Sequence, residues 1–338
     1  MTSRAPITAI DEDVAQFLED VDRHLRPYMA QACALAPDIE PLKKGLSFQI
    51  ASGGKRIRAA LCVTSSELFG ADFREALHFA AAIEHLQNFS LIHDDIADGD
   101  THRRLRESIW RQFGIAHGIN IGDVFIPLAS MAILEAPYPE RLKIALLRTV
   151  STYGIEMVAG QAMDINMRRK NFVTVRDYMT CTEKKTGAFL AMATVGGGMI
   201  GRASERQLQA LHEFAMLAGT AFQIKDDILD IEGRKGRDTG SDILEGKRTL
   251  LVIHAARRAS DGDARRLFEI LNKDRADKTP EEVRWACNLL RITRSIDYAE
   301  RTASELADNA ARHLLALPDN EAKYRLLRIS KYLSSRMR

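Results

Sequence analysis

Residues 91–98 read LIHDDIAD and residues 222–230 read FQIKDDILD, so the same D-D-x-x-D spacing occurs twice, each time after an apolar run. On a helix, residues four apart share a face and neighbours are turned by about 100°. Asp94, Asp95 and Asp98 therefore crowd one edge, as do Asp226, Asp227 and Asp230. Carboxylates that close repel and raise each other's pKa unless a cation lies between them. A single acidic helix end is common on surfaces. Two, each following apolar helix (residues 89–92 and 214–224), predict clusters that open inward and face one another. Hard, octahedral Mg²⁺ suits that arrangement, with one or two carboxylates per ion and substrate phosphates completing the shell.

Around these two stretches the apolar period is helical nearly everywhere. Residues 11–36 place Val14, Phe17, Leu18, Val21 and Leu25 on one face, and Pro37 and Pro41 close the run. Ser52-Gly53-Gly54 predicts the opening of a helix that begins Lys55-Arg56-Ile57-Arg58. Free N–H groups and the dipole at such a start form an anion site; a solvated basic turn remains the plainer reading. Further helices are expected over 73–98, through 123–125, and over 140–168, 173–196 and 207–231. Residues 232–247, EGRKGRDTGSDILEGK, read as a mobile loop or flap. Amphipathic helices then run from 248 to the end, interrupted at 278–280 and at Pro318. No strand pattern and no solenoid repeat is present. The expectation is a single all-α domain over 1–338, built of long helices around a central cavity.

Composition narrows the class. With 338 residues, 46% of them hydrophobic, the chain can bury a large core. A net charge of +2, from 48 basic and 46 acidic residues, gives no reason to expect a nucleic-acid or anionic-membrane partner. Cys33, Cys62, Cys181 and Cys287 are scattered and read as reduced thiols. The N-terminal residues lack an apolar signal core, and the longest uncharged run, 186–201, contains five glycines and is too short to span a membrane. A soluble, cytoplasmic protein is expected.

Several other signatures fail. An EF-hand starting at Asp94 would put Ile96 and Leu105 where calcium needs oxygen. Gly240…Gly246-Lys247 is one residue too long for a P-loop and lacks the following Ser or Thr. G-x-S-x-G and H-E-x-x-H are absent. His93 reads as a hydrogen-bonded or core histidine rather than a ligand.

The chain resembles the trans-isoprenyl diphosphate synthases, or polyprenyl synthetases, most of all those making geranylgeranyl diphosphate. The resemblance runs from about Gly53 to Leu251 and rests on GGKRIR (53–58), LIHDDIAD (91–98) followed by RR (103–104), GQAMD (160–164), KTG (185–187), FQIKDDILD (222–230) and GSDILEGKRTL (240–250), in that order. It implies an all-α bundle around a deep apolar cavity, assembled as a homodimer. By position, all six aspartates would bind three Mg²⁺ ions gripping the allylic diphosphate. Arg103, Lys185 and Lys247 would hold that diphosphate, with Arg237 where the family usually has lysine. Lys55, Arg58, Gln87 and Arg104 would bind isopentenyl diphosphate. Thr186 and Gln223 would line the space where positive charge develops, with Asp94, Asp95, Asp98, Lys185 and Asp226 completing the catalytic set.

Family comparison also makes the residues five and four before Asp94, here Phe89 and Ser90, the floor that limits product length. One aromatic there resembles geranylgeranyl (C20) synthases, whereas two would suggest farnesyl diphosphate (C15). An ideal helix turns Phe89 about 140° from Asp94, so its inward direction rests on the resemblance. The allylic primer implied is dimethylallyl, geranyl or farnesyl diphosphate. The alternatives are a farnesyl diphosphate synthase, a class I terpene cyclase on the same scaffold, and a catalytically silent partner subunit. Retention of Lys55, Arg58 and Gln87 argues against the cyclase, and two complete acid clusters argue against the silent subunit. The chain departs from the family in having Ala59 after GGKRIR, and Leu105-Arg106-Glu107-Ser108 where glycine and Pro-Thr are usual.

Overall fold

The computed structural model describes residues 12–36, 38–104, 106–233 and 239–335. In chain order the helices are α1 (Glu12–Ala34), α2 (Leu42–Ala51), α3 (Ile57–Glu67), α4 (Leu77–Asp98), α5 (Ile109–Phe113), α6 (Ile115–Leu134), α7 (Glu140–Met167), α8 (Val175–Thr182), α9 (Ala188–Ile200) and α10 (Glu205–Glu232). They continue with α11 (Ser241–Leu244), α12 (Leu250–Arg258), α13 (Asp261–Asn272), α14 (Pro280–Ile292), α15 (Ser295–Leu314) and α16 (Glu321–Ser335). The starts are encoded locally. Capping boxes pair Thr174 with Asp177, Ser204 with Gln207 and Thr279 with Glu282, and Pro280 occupies the first turn of α14, where its missing N–H costs nothing.

The all-α expectation holds, with one small exception. His102–Arg103 and Arg106–Glu107 pair as an antiparallel ribbon, β1 and β2, directly after α4. Two further boundaries differ from the sequence reading. The expected helix over 173–196 is α8, one π-helical segment at Glu183–Gly187 and α9. The helix after the paired glycines begins at Ile57, because Gly53 and Arg56 both adopt left-handed backbone (φ 69° and 50°).

One apolar core joins α1, α3, α4, α7, α9, α10 and α16, and a second gathers α8, α10 and α12–α15. The long α10 contributes to both. Small residues set how closely the central helices approach. A Cβ on Gly219 would lie 2.6 Å from the Gly187 Cα, and one on Gly160 would lie 2.3 Å from the Lys185 nitrogen. With Thr194 Oγ1 donating to the Leu211 carbonyl at 3.3 Å, these contacts set α9 antiparallel to α10. Likewise a Cβ on Gly122 would meet His93 at 2.5 Å and one on Gly118 would meet Ile96 at 3.2 Å, so α6 runs antiparallel to α4.

Candidate active site

Both acid clusters lie at helix C-termini. Gly99 (φ 69°) ends α4 and Gly233 (φ 74°) ends α10, each turning the chain through left-handed backbone. The C-terminus is the negative end of the helix dipole, so three further carboxylates there add repulsion. Such placement demands positive charge. The structure supplies it around one cavity of about 1290 Å³, lined from α4 by Asp94 and Asp98 and from α10 by Asp226. The two clusters therefore share a chamber.

The six aspartates do not play one role. Asp95, Asp227 and Asp230 are buried and do not line the cavity. Asp95 accepts from Arg103 Nε at 2.7 Å; Asp227 accepts from Tyr178 Oη at 2.7 Å and Gln223 Nε2 at 2.9 Å. Asp230 accepts from the Ser241 hydroxyl and from the Asp242 N–H at 3.0 Å, which ties the end of α10 to the start of α11. Six metal-facing acids were expected; Asp94, Asp98 and Asp226 face the chamber. The helical turn explains Asp95 and Asp227, because adjacent aspartates cannot share a direction, whereas Asp230, one turn beyond Asp226, is engaged instead by Ser241 and the Asp242 N–H.

These oxygen donors fit a hard cation. Among the described residues no three acidic, histidine or cysteine side chains form a ready protein cage for a metal. Sparse carboxylates on a roomy chamber instead match Mg²⁺, which keeps waters and takes substrate phosphate as ligand. Burial pushes the Asp94 carboxyl up, against the nearby Lys185 charge. Asp98 is also desolvated, but Lys247, Arg168 and Lys185 outweigh that and hold it down at about 2. A carboxylate pair held at different affinities for protons is the product of where the cations stand.

Those cations come from separate elements. Lys185 Nζ lies 3.3 Å from Asp164, and Lys247 Nζ lies 3.1 Å from Asp242 and 3.8 Å from Asp98. Arg103 and Arg104 line the chamber from the β1–β2 ribbon, and Lys55, Arg58 and Gln87 line it as well. The Arg58 guanidinium stacks 4.5 Å from the Phe189 ring centre, and Lys55 Nζ donates to Tyr332 Oη at 3.1 Å. Arg104, in left-handed backbone (φ 53°), packs where a Cβ on Gly54 would meet its guanidinium at 2.9 Å. The unusual 105–108 segment thus leaves both arginines on the chamber. Residue Leu105 itself, and Arg237 with the rest of 234–238, lie outside the described residues.

The π segment carries Lys185 and Thr186, and π-bulges inside helices are frequent at functional sites. Its wider turn re-aims both side chains onto the cavity. On three elements a polar chamber residue stands about one turn from an aromatic one: Asp94 with Phe89, Asp226 with Phe222, and Lys185 with Phe189. Because α9 runs opposite to α10, these pairs order the same way, giving a charged mouth over an apolar floor. Phe89 and Ser90 both line the chamber; Phe89 also packs on His93 at 4.6 Å between ring centres. His93, read as a hydrogen-bonded or core histidine, lines the cavity, and its Nε2 lies 3.3 Å from Asp123.

Residue-by-residue reading missed Arg168, whose Nη2 donates to Asp98 at 2.7 Å and Asp164 at 3.0 Å. It also missed Gln161, which lines the chamber with buried amide atoms, and Arg275, which donates to the Asp98 carbonyl at 2.6 Å and Asp100 at 3.2 Å. Arg56 proved structural: it bridges Asp22 and Glu84, both at 2.8 Å, and locks α1, α3 and α4. The D-x-x-x-R spacing of Asp164 and Arg168, one helical turn apart, is the signal that would have pointed to the first of these.

A helical bundle whose chamber sets paired acids and converging cations over an apolar floor is built for a diphosphate with a hydrocarbon tail. The chain belongs to the polyprenyl synthetase family, whose family model matches residues 40–290. It is 35% identical over 300 residues to a short chain isoprenyl diphosphate synthase of Methanothermobacter thermautotrophicus, covering 88% of this chain and 91% of that protein. The crystal structure of geranylgeranyl pyrophosphate synthetase from Pyrococcus horikoshii superposes with a TM-score of 0.87 at 32% identity, covering 96% of this chain and 99% of that one. A geranylgeranyl pyrophosphate synthase from Corynebacterium glutamicum, complexed with isoprenyl diphosphate and magnesium, gives 0.87 at 25% identity over 96% and 99% of the two chains.

Proposed function

We propose that the chain, acting as one domain, is a short-chain trans-prenyltransferase. It condenses isopentenyl diphosphate with an allylic diphosphate, farnesyl diphosphate last, to give geranylgeranyl diphosphate. The observation that carries this is the convergence of Asp94, Asp98 and Asp226 with Lys185, Lys247 and Arg103 on one chamber that has Phe89 in its wall.

In this reading the allylic C–O bond breaks with its electron pair leaving on diphosphate. The isopentenyl double bond attacks the resulting cation, and a proton is lost to the departing pyrophosphate. Lys185, Lys247 and Arg103 bind the leaving group, and Asp94, Asp98 and Asp226 would hold Mg²⁺, three ions by family analogy. The metal supplies Lewis-acid neutralisation of the leaving charge. Lys55, Arg58, Gln87 and Arg104 orient the second diphosphate. Thr186, whose hydroxyl donates to Gln223 Oε1 at 2.9 Å, faces the developing cation with oxygen. Phe89, Phe189 and Phe222 keep that cation dry. Arg237 is assigned to diphosphate binding from its sequence position alone.

The protein is further proposed to be a cytoplasmic homodimer. Within the single chain, α6 exposes Ile115, Ile119 and Ile126, and α7 exposes Ile144, Ile155 and Ile165. Among the described residues α6 is also the helix long and apolar enough to cross a membrane, 44% buried. A second copy covering this face accounts for that composition, and Asp123 and Pro127 within α6 fit an interface better than lipid.

Purified protein given farnesyl diphosphate, Mg²⁺ and labelled isopentenyl diphosphate should yield labelled C20 diphosphate. A hydrocarbon product without label would replace this reading with a cyclase.

A further inference from the structure

One buried hydrogen-bond chain runs from outside the chamber to its wall, and its direction is forced. Tyr178 Oη donates to one oxygen of Asp227 at 2.7 Å, and Gln223 Nε2 donates to the other at 2.9 Å. A carboxylate that receives at both oxygens can only accept, so the amide NH₂ of Gln223 must face it. The Gln223 carbonyl therefore faces Thr186, and the Thr186 hydroxyl must spend its proton there, at 2.9 Å. What Thr186 has left for the chamber is lone pairs. Thr186 and Gln223 line the chamber, whereas Tyr178 and Asp227 are buried behind it.

We propose that Asp227 is a positioning residue, anchored by Tyr178, that fixes the polarity of the Gln223–Thr186 pair so that acceptor oxygen, never a hydroxyl proton, is presented where positive charge develops. This rests on the proposed prenyl-transfer reading only in taking that charge to arise beside Thr186. It assigns Asp227 a task distinct from metal binding and gives a purpose to Tyr178, which no motif singled out.

The polarity can be reversed and restored. In Asp227→Asn, the Tyr178 proton holds the new amide oxygen and turns its NH₂ toward Gln223. Turning the phenol instead would give up its hydrogen bond to the residue-227 side chain. Gln223 must then flip, offer N–H to Thr186 and free the hydroxyl proton toward the chamber. Adding Tyr178→Phe releases the asparagine to rotate and accept from Gln223 again. The second substitution should rescue the first, which a packing role or a metal-ligand role does not predict.

The test is binding of two farnesyl diphosphate analogues to the full-length protein with Mg²⁺, by calorimetry. One carries a protonated nitrogen at the reacting carbon; the other is its carbon isostere. The affinity ratio of the two should fall at least tenfold in Asp227→Asn and return to within about threefold of wild type in the double variant. A ratio within twofold of wild type in Asp227→Asn, with both analogues weakened equally, would overturn the proposal and leave Asp227 a metal or structural residue. So would a double variant with a lower ratio than the single. Should Asp227→Asn not fold, the near-isosteric Thr186→Val must lower the ratio tenfold by itself, and an unchanged ratio there refutes the idea. Label incorporation from isopentenyl diphosphate is scored separately, so failure of prenyl transfer and failure of the polarity mechanism give different results.

Discussion

Replacing Phe89 by alanine should lengthen the product. His85, Phe89 and His93 lie four residues apart on α4, one above another on one face. Removing the Phe89 ring exposes the level of His85, deeper by four residues of helix or about 6 Å, on the order of one C5 unit. That next floor is closed: His85 is buried and stacks on Phe125 with ring centres 5.7 Å apart. Burial, with the Arg56 charge, lowers the His85 pKa to about 4, so at neutral pH an uncharged wall meets the tail. A buried Phe→Ala change costs about 3–5 kcal/mol. Phe89 is half-buried and already borders open space, so about 2 kcal/mol is expected, roughly a 3 °C drop in Tm for a chain of this length. The assay is chromatography of dephosphorylated products from farnesyl diphosphate and isopentenyl diphosphate. The variant should shift from C20 to C25, and adding His85→Ala should extend it again. An unchanged C20 product from a folded variant showing the Tm drop would refute Phe89 as the floor.

Other substitutions probe separate parts of the site. Asp94→Ala and Asp226→Ala should each lower kcat by about 10³-fold or more, with the far-ultraviolet spectrum intact, since each removes charge needed at the leaving group; near-wild-type turnover in both would move the chemistry elsewhere. Arg168→Met should weaken diphosphate binding by freeing Asp98 and Asp164 to pair with Lys247 and Lys185; an unchanged KM for both substrates would count against it. The Asp98 carboxyl, held at about 2 against an ordinary 3.8, binds fewer protons folded than unfolded between those values. Its contribution of about 2 kcal/mol is therefore complete above about pH 4 and lost as pH falls toward 2. Urea midpoints at pH 5 and pH 2.5 should differ less in Asp98→Asn than in wild type. Finally, Ile126→Glu with Ile155→Glu should shift sedimentation from dimer to monomer, and an unaltered dimer would place the interface on another face.

The primary structure was most informative where chemistry is repeated along it. Two D-D-x-x-D runs carry their residue type and helical period locally, so the all-α architecture and the paired acid clusters were legible from spacing, whereas Lys55, Arg58, Gln87, Lys185, Thr186, Gln223 and Phe89 were legible through the family resemblance that GGKRIR, KTG and the acid motifs carry. Spacing could not say which way each side chain turns. Adjacent aspartates necessarily diverge by about 100° on a helix, so Asp94, Asp98 and Asp226 meet the chamber while Asp95 and Asp227 brace it from behind, and Asp230, on the face of Asp226, is taken up by Ser241 and the Asp242 N–H. Nor could spacing reveal partners distant along the chain, such as Arg275 on the Asp98 carbonyl or Arg56 between Asp22 and Glu84. The π segment at Glu183–Gly187 lies where Gly160, Gly187 and Gly219 let α7, α9 and α10 crowd together, a close approach of three helices that no single stretch of residues contains. Local propensity thus decided the helices and their chemistry, and long-range packing decided which of those groups share a solvent-shielded space.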